Sequence, residues 1–325
     1  MLNRDYYKAL AYGSLPDLKS SDLKNNNYNL KLDLSQSQKW FEDNKLKFQI
    51  YTGEYHFKFQ NVKSKPYIIY YIGDINLLNK QLIGIVGPRF HSLYGQDFVT
   101  YFLQKTKNYS YCTISGMAPG IDTICHEYSI DNNIKTIAVI GGGIRYYQNS
   151  KFSSILKKIL DNGGLVISEF KFDTVPTKYT FPQRNRIVAG LSDFIIVPEA
   201  GKGSGSLITA DFSLACGKKV YGLMGDVYSH FSYGINEYIS ENKAIAIYDI
   251  DKFIQNIFPE TDNFDKIGLN EIQLSVLDFV TKNPCSNFMT IQFALGYTTN
   301  ELLAIISILE INGLIKQINP GEYST

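Results

Sequence analysis

From Pro66 onward, short apolar runs recur, and each stops at glycine, serine or an acid: "PYIIYYIGD", "LIGIVG", "CTISG", "TIAVIGGG", "GLVISEF", "DFIIVPEA" and "KKVYGLMGD". Helix-length stretches of mixed polarity fill most of the gaps. A strand that is apolar throughout is buried on both faces, and strands alternating with helices give a parallel sheet covered on each side. The fold class is therefore α/β. In such sheets ligands bind at the carboxyl ends of the strands, where nearly all the glycines of this region fall.

The flanks differ. Residues 1–65 are polar, with "KNNNYN" and "SQSQKWFEDNKLKF" among them, and read as a short helical region ending in an aromatic-rich link of no assignable role. The α/β domain is expected over 66–258, followed by a linker near Pro259 to Gly268. Residues 268–325 read as a separate small unit: helices in "LNEIQLSVLDFV", "FMTIQFAL" and "TTNELLAIISILEING", then a strand, a turn and a strand start in "LIKQINPGEYST". Thr298 stands three before Glu301 as a capping box, and Gly313 is the expected stop of the third helix. Three helices and a β-hairpin make a winged helix.

The 325 residues are 44% hydrophobic and 19% charged, too apolar for a disordered chain. The 32 basic and 31 acidic residues leave a net charge of +1. A nucleic-acid binder of this kind needs a local basic patch, since the bulk field will not supply one. Cys112, Cys125, Cys216 and Cys285 are far apart with no CxxC pair, which argues against zinc and against a disulfide framework. No signal peptide and no apolar run near the roughly 20 residues of a membrane helix stand out, so a cytoplasmic protein without membrane insertion is expected.

Four strand-end loops carry the candidate chemistry. "GIVGPRFHSLYG" ends a strand at Gly87 and opens a helix near Ser92, where backbone N–H groups and Arg89 suit an anion. It lacks GxGxxG spacing, and no dinucleotide is expected. "TISGMAPGIDTICH" sets Ser115, Gly116 and Gly120 between strand and helix, with Asp122 in the first turn and His126 read as a structural histidine. "VIGGGIRYY" lets either a ligand or another backbone approach closely. The fourth, "FPQRNRIVAGLSDFIIVPEAGKGSGSLITA", holds Arg184 and Arg186 near Lys178, in a stretch from Lys178 to Ser192 without an acid. The two arginines face one way if the segment is extended and diverge if it is helical. Beyond its strand, Gly201 to Ser206 offers amides, hydroxyls and Lys202, an anion-binding nest rather than a P-loop. GxSxG, HExxH and kinase motifs are absent. Glu169 and Glu199 end strands, as acids or bases, as helix caps or as partners of arginine.

Taken in order, "IGIVGPRFHSLYG", "SGMAPGID", "AVIGGGI", "GGLVISEF", "FPQRNRIVAGLSD", "VPEAGKGSGSLITA" and "GINEYISENKA" resemble the DNA-processing protein A (DprA, or Smf) family from about Pro66 to Ala244, and the last domain resembles the winged helix of many members. The resemblance implies an extended Rossmann-like domain that binds single-stranded DNA, protects incoming DNA in natural transformation, helps load a RecA-type recombinase, acts as a homodimer and needs no cofactor. It sets Arg89, Gly116, Arg184, Asn185 and Arg186 around the DNA groove, with Ser204, Gly205, Ser206 and Thr209 in the neighbouring loop. Ser115, Lys178 and Lys202 join them as polar contacts and Phe181 as a base stacker. On this reading Arg184→Ala with Arg186→Ala weakens binding and leaves the fold intact. Two departures stand out. Pro88 replaces the usual serine, and Pro119 replaces an arginine, removing a phosphate donor and an N–H, with Arg145 and Lys178 as the candidates to compensate. The helix-hairpin-helix signature of some members is not seen before Pro66.

The main alternative is a nucleotide phosphoribohydrolase of the lysine decarboxylase-like family, whose phosphate loop carries a catalytic glutamate. Thr209 stands where that glutamate would, so the loop can hold phosphate but lacks the acid–base group, and no enzyme is expected. A nucleotide-sensing domain stays open, since it needs no catalytic acid. A sequence-specific transcription factor is disfavoured because "TTNELLAIISILEING" has no Lys or Arg to read a major groove. The winged helix reads instead as a protein-contact or regulatory module.

Overall fold

The computed structural model describes residues 4–15, 17–19, 34–50, 57–258, 269–283, 286–312, 314–319 and 321–324. The expected linker and the stop at Gly313 lie outside them. The chain divides into two compact units, Met1–Ile250 and Asp251–Thr325.

The first unit is built on a nine-stranded sheet. In chain order its strands are β1 (Lys47–Ile50), β2 (Ile68–Gly73), β3 (Leu82–Ile85), β4 (Cys112–Ser115), β5 (Lys135–Val139), β6 (Leu165–Ser168), β7 (Phe194–Val197), β8 (Val220–Leu223) and β9 (Ile245–Ile247). The helices are α1 (Arg4–Ser14), α2 (Ser35–Asp43), α3 (Leu93–Thr106), α4 (Ile121–Asp131), α5 (Ile144–Gln148), α6 (Ser153–Asp161), α7 (Thr180–Leu191), α8 (Gly205–Ala215), α9 (Tyr233–Ser240) and α10 (Ile250–Ile257), whose residues after Ile250 fall in the second unit. Strand order is β1-β2-β6-β5-β4-β3-β7-β8-β9, parallel from β6 to β9.

The run around Ile68–Gly73 departs from the all-parallel expectation: β2 pairs antiparallel with both β1 and β6. The reason is the connection. Running antiparallel to its two neighbours, β2 finishes at the end of the sheet from which β3 starts. Residues 74–81 then need to cross only about four strand spacings of ~4.8 Å, within the reach of a short chain.

Pro66 is not a unit boundary. Along β2, Ile69 and Tyr71 pack into one core cluster and Ile68, Tyr70 and Ile72 into the other, so the strand alternates between two covered faces. Ala9 and Leu10 of α1, Phe41 and Leu46 join the second cluster, and Phe59 and Val62 the first. Tyr70 donates its hydroxyl proton to the Ala9 carbonyl at 2.6 Å. The N-terminal segment thus completes the α/β core.

The second unit contains α11 (Glu271–Lys282), β10 (Ser286–Asn287), α12 (Phe288–Leu295), α13 (Thr299–Ile311), β11 (Lys316–Asn319) and β12 (Glu322–Ser324), the strands forming an antiparallel sheet ordered β10-β12-β11. Val276, Leu277, Ile291, Leu302, Ile306 and Tyr323 contribute to its core. The Thr298–Glu301 capping box is formed, and Asn270 with Gln273 makes a second. Among the described residues no single helix is long and apolar enough to cross a membrane.

Candidate nucleic-acid interface

The chain runs from β3 outward through β4, β5 and β6 on one side, then returns to place β7 on the other side of β3. Between β3 and β7 the winding reverses. The loops leaving their carboxyl ends part there and open a crevice, the place where doubly wound sheets bind ligands. A cavity of about 410 Å³ lies there. Its wall carries Arg89 and Phe90 after β3, Asp122 at the start of α4, Lys178 and Phe181 before and in α7, and Ser204 to Ser206 after β7.

Each wall is held by contacts that explain its sequence. Ser92 caps α3, and its N–H donates to Glu199 Oε2 at 2.9 Å while its hydroxyl pairs with Oε1. Glu199 is thereby a structural anchor from the end of β7. At Gly120 φ is +86°, and a Cβ there would meet the Pro88 carbonyl at 2.4 Å, so glycine lets the second loop close on the first. Of the three glycines after β5, Gly142 and Gly143 let the 171–174 backbone approach, and Gly141 makes room for the Phe181 ring.

The fourth motif is helical, and its two arginines diverge as residues two apart on a helix must. Arg184 is buried, donates to the Val139 carbonyl at 2.8 Å and sits 4.0 Å from Asp122. Arg186 is buried on another side, paired with Glu169. Burial pushes the Asp122 carboxyl above its usual range, with Arg184 opposing the rise, and pushes the Arg184 guanidinium down. Burial likewise lowers His126 to about 3, and its Nδ1 lies 2.7 Å from Thr136 Oγ1, the environment of a structural histidine.

The cavity unites Arg89, Lys178, Phe181, Arg184, Asn185, Ser204, Gly205, Ser206 and Thr209. Four expected contacts lie off its wall. Ser115 is buried and donates to the Ile85 carbonyl at 2.7 Å. A Cβ on Gly116 would fall 1.5 Å from Arg184 Nη1, so this glycine makes room for the guanidinium. Arg186 belongs to the Glu169 pair, and Lys202 lies over the Tyr233 ring at 5.8 Å. Arg184 lines the cavity as a buried, engaged group rather than a surface donor.

Phe181 is also committed: the Arg89 guanidinium covers its ring at 4.5 Å. The exposed aromatic on the wall is Phe90, 87% exposed. Reading the sequence missed it because 20 phenylalanines and 24 tyrosines leave one loop aromatic without signal. Pro119 lines a neighbouring depression with Lys151 and Lys158. Arg145, a candidate to compensate for it, is engaged by Asp173, whose carboxylate takes its Nε at 2.7 Å.

What this arrangement offers chemically is anion binding beside a flat apolar surface. Ser204 makes no capping hydrogen bond to α8, and its hydroxyl turns to Ser206 at 2.8 Å. A Cβ on Gly205 would enter open space. The Leu207 N–H donates to the Ser204 carbonyl at 3.0 Å, which leaves the N–H groups of Gly205 and Ser206, both on the cavity wall, at the positive end of the helix dipole without a side-chain cap. Arg89 and Lys178, both exposed, add positive charge, Arg89 from above the Phe181 ring. Asp122 is the carboxylate on this wall, and it is held against Arg184.

The family model of DNA recombination-mediator protein A matches residues 48–258. The chain is 35% identical over 199 residues to DNA processing protein DprA of Streptococcus pneumoniae, covering 61% of this chain and 70% of that one. It is 32% identical over 192 residues to protein Smf of Escherichia coli K12, covering 59% of this chain and 51%, about half, of that relative. The X-ray structure of the S. pneumoniae protein superposes with a TM-score of 0.60 at 31% identity, over 69% of this chain and 78% of that one. The Helicobacter pylori DNA processing protein A, described for its single-stranded DNA binding mode, superposes with a TM-score of 0.60 at 25% identity, over 66% and 97%. With the family model matched over residues 48–258, on a fold shared with the S. pneumoniae and H. pylori structures, the chain belongs to the DNA recombination-mediator protein A family.

Proposed function

We propose that the chain holds single-stranded DNA across the β3–β7 crevice and acts in DNA processing by binding, without cleaving. The observation that carries this reading is the union on one wall of uncapped α8 amides, two exposed cations and an exposed aromatic. Cations and amides take phosphates of any sequence, and a base can stack on Phe90 whatever its identity. The binding mode for which the H. pylori relative is described supports the choice of single strands. Thr209, at the position of the rival family's catalytic glutamate, lines the cavity without a carboxyl and supports holding over phosphoribohydrolase chemistry. Natural transformation as the setting, a RecA-type recombinase as partner, a homodimer, a cytoplasmic location and a winged-helix regulatory role for residues 268–325 complete the proposal. No cofactor enters it.

Fluorescence anisotropy with labelled oligo-dT tests it. Affinity is expected to fall as salt rises, and Arg89→Ala with Lys178→Ala is expected to make the slope of log K against log salt shallower by about 1.4, roughly 0.7 for each lost phosphate contact. Salt-independent binding, or none, would sink the proposal. Sustained release of adenine from AMP would transfer the site to the enzyme reading.

Phe90→Ala tests the stacking surface. Its ring is almost fully exposed, so folding stability should stay within about 0.5 kcal/mol of the parent, whereas oligo-dT affinity should drop by about 1–3 kcal/mol with an unchanged salt slope. An unchanged affinity removes Phe90 from the site.

A further inference from the structure

A second cavity, of about 780 Å³, lies in the same unit on the other side of the first turn of α7. Pro182 borders both cavities and forms the wall between them. At its floor sits the Arg186–Glu169 pair, with side chains only 9% and 6% exposed. Arg186 Nη2 meets Glu169 Oε2, and although Gln183 of the same wall draws the carboxyl toward its charged form, Arg186 Nη1 and Glu169 Oε1 have no partner within hydrogen-bond geometry among the described residues. A buried donor and a buried acceptor of one ion pair, each unsatisfied, cost stability unless something else uses them. The walls are ring-shaped and apolar in part, from Tyr67, Phe170 and Pro182. The rim carries Lys63 and Lys65, which flank Ser64 in a turn where Ser64 is held at φ +49°. A non-glycine residue in that left-handed region is uncommon, and such strain concentrates at functional positions.

We infer that this cavity is a nucleotide site distinct from the β3–β7 crevice. The Watson–Crick edge of a nucleobase presents a donor and an acceptor together, as the Glu169–Arg186 pair requires, and a flat ring fits between aromatic and proline walls. The phosphate falls to the rim lysines. The volume lies within the roughly 300–1,000 Å³ typical of small-ligand sites. Two sources share this chemistry, a free mononucleotide and one residue of a longer strand. The inference does not rest on the crevice binding DNA.

The test uses the full chain. Hydrogen exchange is followed at residues 63–67 and 169–171 with dAMP, dGMP, dCMP and dTMP in turn, then with oligo-dT, alongside calorimetric titration of each. Protection by at least one monophosphate is expected, with affinity falling about tenfold (one decade of K, ~1.4 kcal/mol) in Lys63→Ala with Lys65→Ala. Glu169→Gln should change which base is preferred, a readout that loss of packing alone would not move. Protection by oligo-dT only, still lost in the lysine double variant, supports the site with the strand as its source. Absence of protection with every probe, or protection indifferent to the lysines, overturns it. The Arg89→Ala, Lys178→Ala variant separates the two readings. If it loses oligo-dT while residues 63–67 never respond, the crevice stands and this site falls. If monophosphates bind through the lysines while oligo-dT binds nowhere, the reverse holds.

Discussion

Arg184→Ala is expected to destabilise the first unit by about 3–5 kcal/mol, the range for removing one partner of a buried ion pair. The guanidinium is 3% exposed and is the cation beside Asp122, a carboxyl that burial already holds above its usual range. Its loss strips the Val139 carbonyl of a donor at the end of β5 and opens a space that Gly116 cannot fill. Protonation of Asp122 would soften the cost without removing it, because the cavity and the orphaned carbonyl remain. Gly116→Ala should reach a similar state from the other side, since its new Cβ would stand 1.5 Å from Nη1 and force the guanidinium out. Urea unfolding followed by circular dichroism checks both, and a loss under about 1 kcal/mol for Arg184→Ala would show that the buried network is not what holds these loops. The expectation that alanine at 184 and 186 would spare the fold is therefore corrected. Lost DNA binding in that pair would report a damaged scaffold, and the exposed Arg89 and Lys178 are the residues whose removal reads the interface itself.

The same residues show how far the sequence can be read. Strand ends were legible because an apolar run that stops at glycine needs no distant partner to be recognised. Ser92 and the Thr298–Glu301 box announced helix starts through contacts three residues away. Helix or strand at "TFPQRNRIVAGL" stayed open, and with it the direction of two arginines, because Pro182 in the first turn is compatible with a helix that its local sequence does not compel. The partners that hold these side chains are remote: Arg184 meets Asp122, Arg186 meets Glu169 and Ser92 meets Glu199. Spacing along the chain carries no trace of such pairs, since they arise only where different strand-end loops converge. A basic cluster therefore looked like one phosphate site, and the fold split it into an exposed part and two buried parts. The N-terminal segment escaped notice for a related reason. Its apolar residues are interspersed with polar runs such as "KNNNYN", and for Ala9, Leu10 and Phe41 the destination, one face of β2, lies far along the chain.

Wild-type protein is expected to lose stability relative to Glu169→Gln as pH rises from about 4.5 to about 7. Burial lifts the Glu169 carboxyl to about 7, against the pull of Arg186 and Gln183 toward the charged form. In the unfolded chain the same group titrates near its ordinary value of 4.5. Between those two values the native state keeps a proton that the unfolded state has released, so stability falls with rising pH. Below the window both states are protonated and above it both are charged, so the difference is flat on either side. About 2.5 units of displacement correspond to roughly 3 kcal/mol across the window, with the opposing pull of Arg186 already included in the value of about 7. Glutamine cannot ionise, and every other titrating group is common to both proteins, so the difference between their unfolding free energies isolates Glu169. Urea titrations of both proteins at several pH values through the window give that difference. Curves that run parallel would mean that Glu169 keeps an ordinary carboxylate in the folded state, and that its pair with Arg186 is better solvated than its 6% side-chain exposure implies.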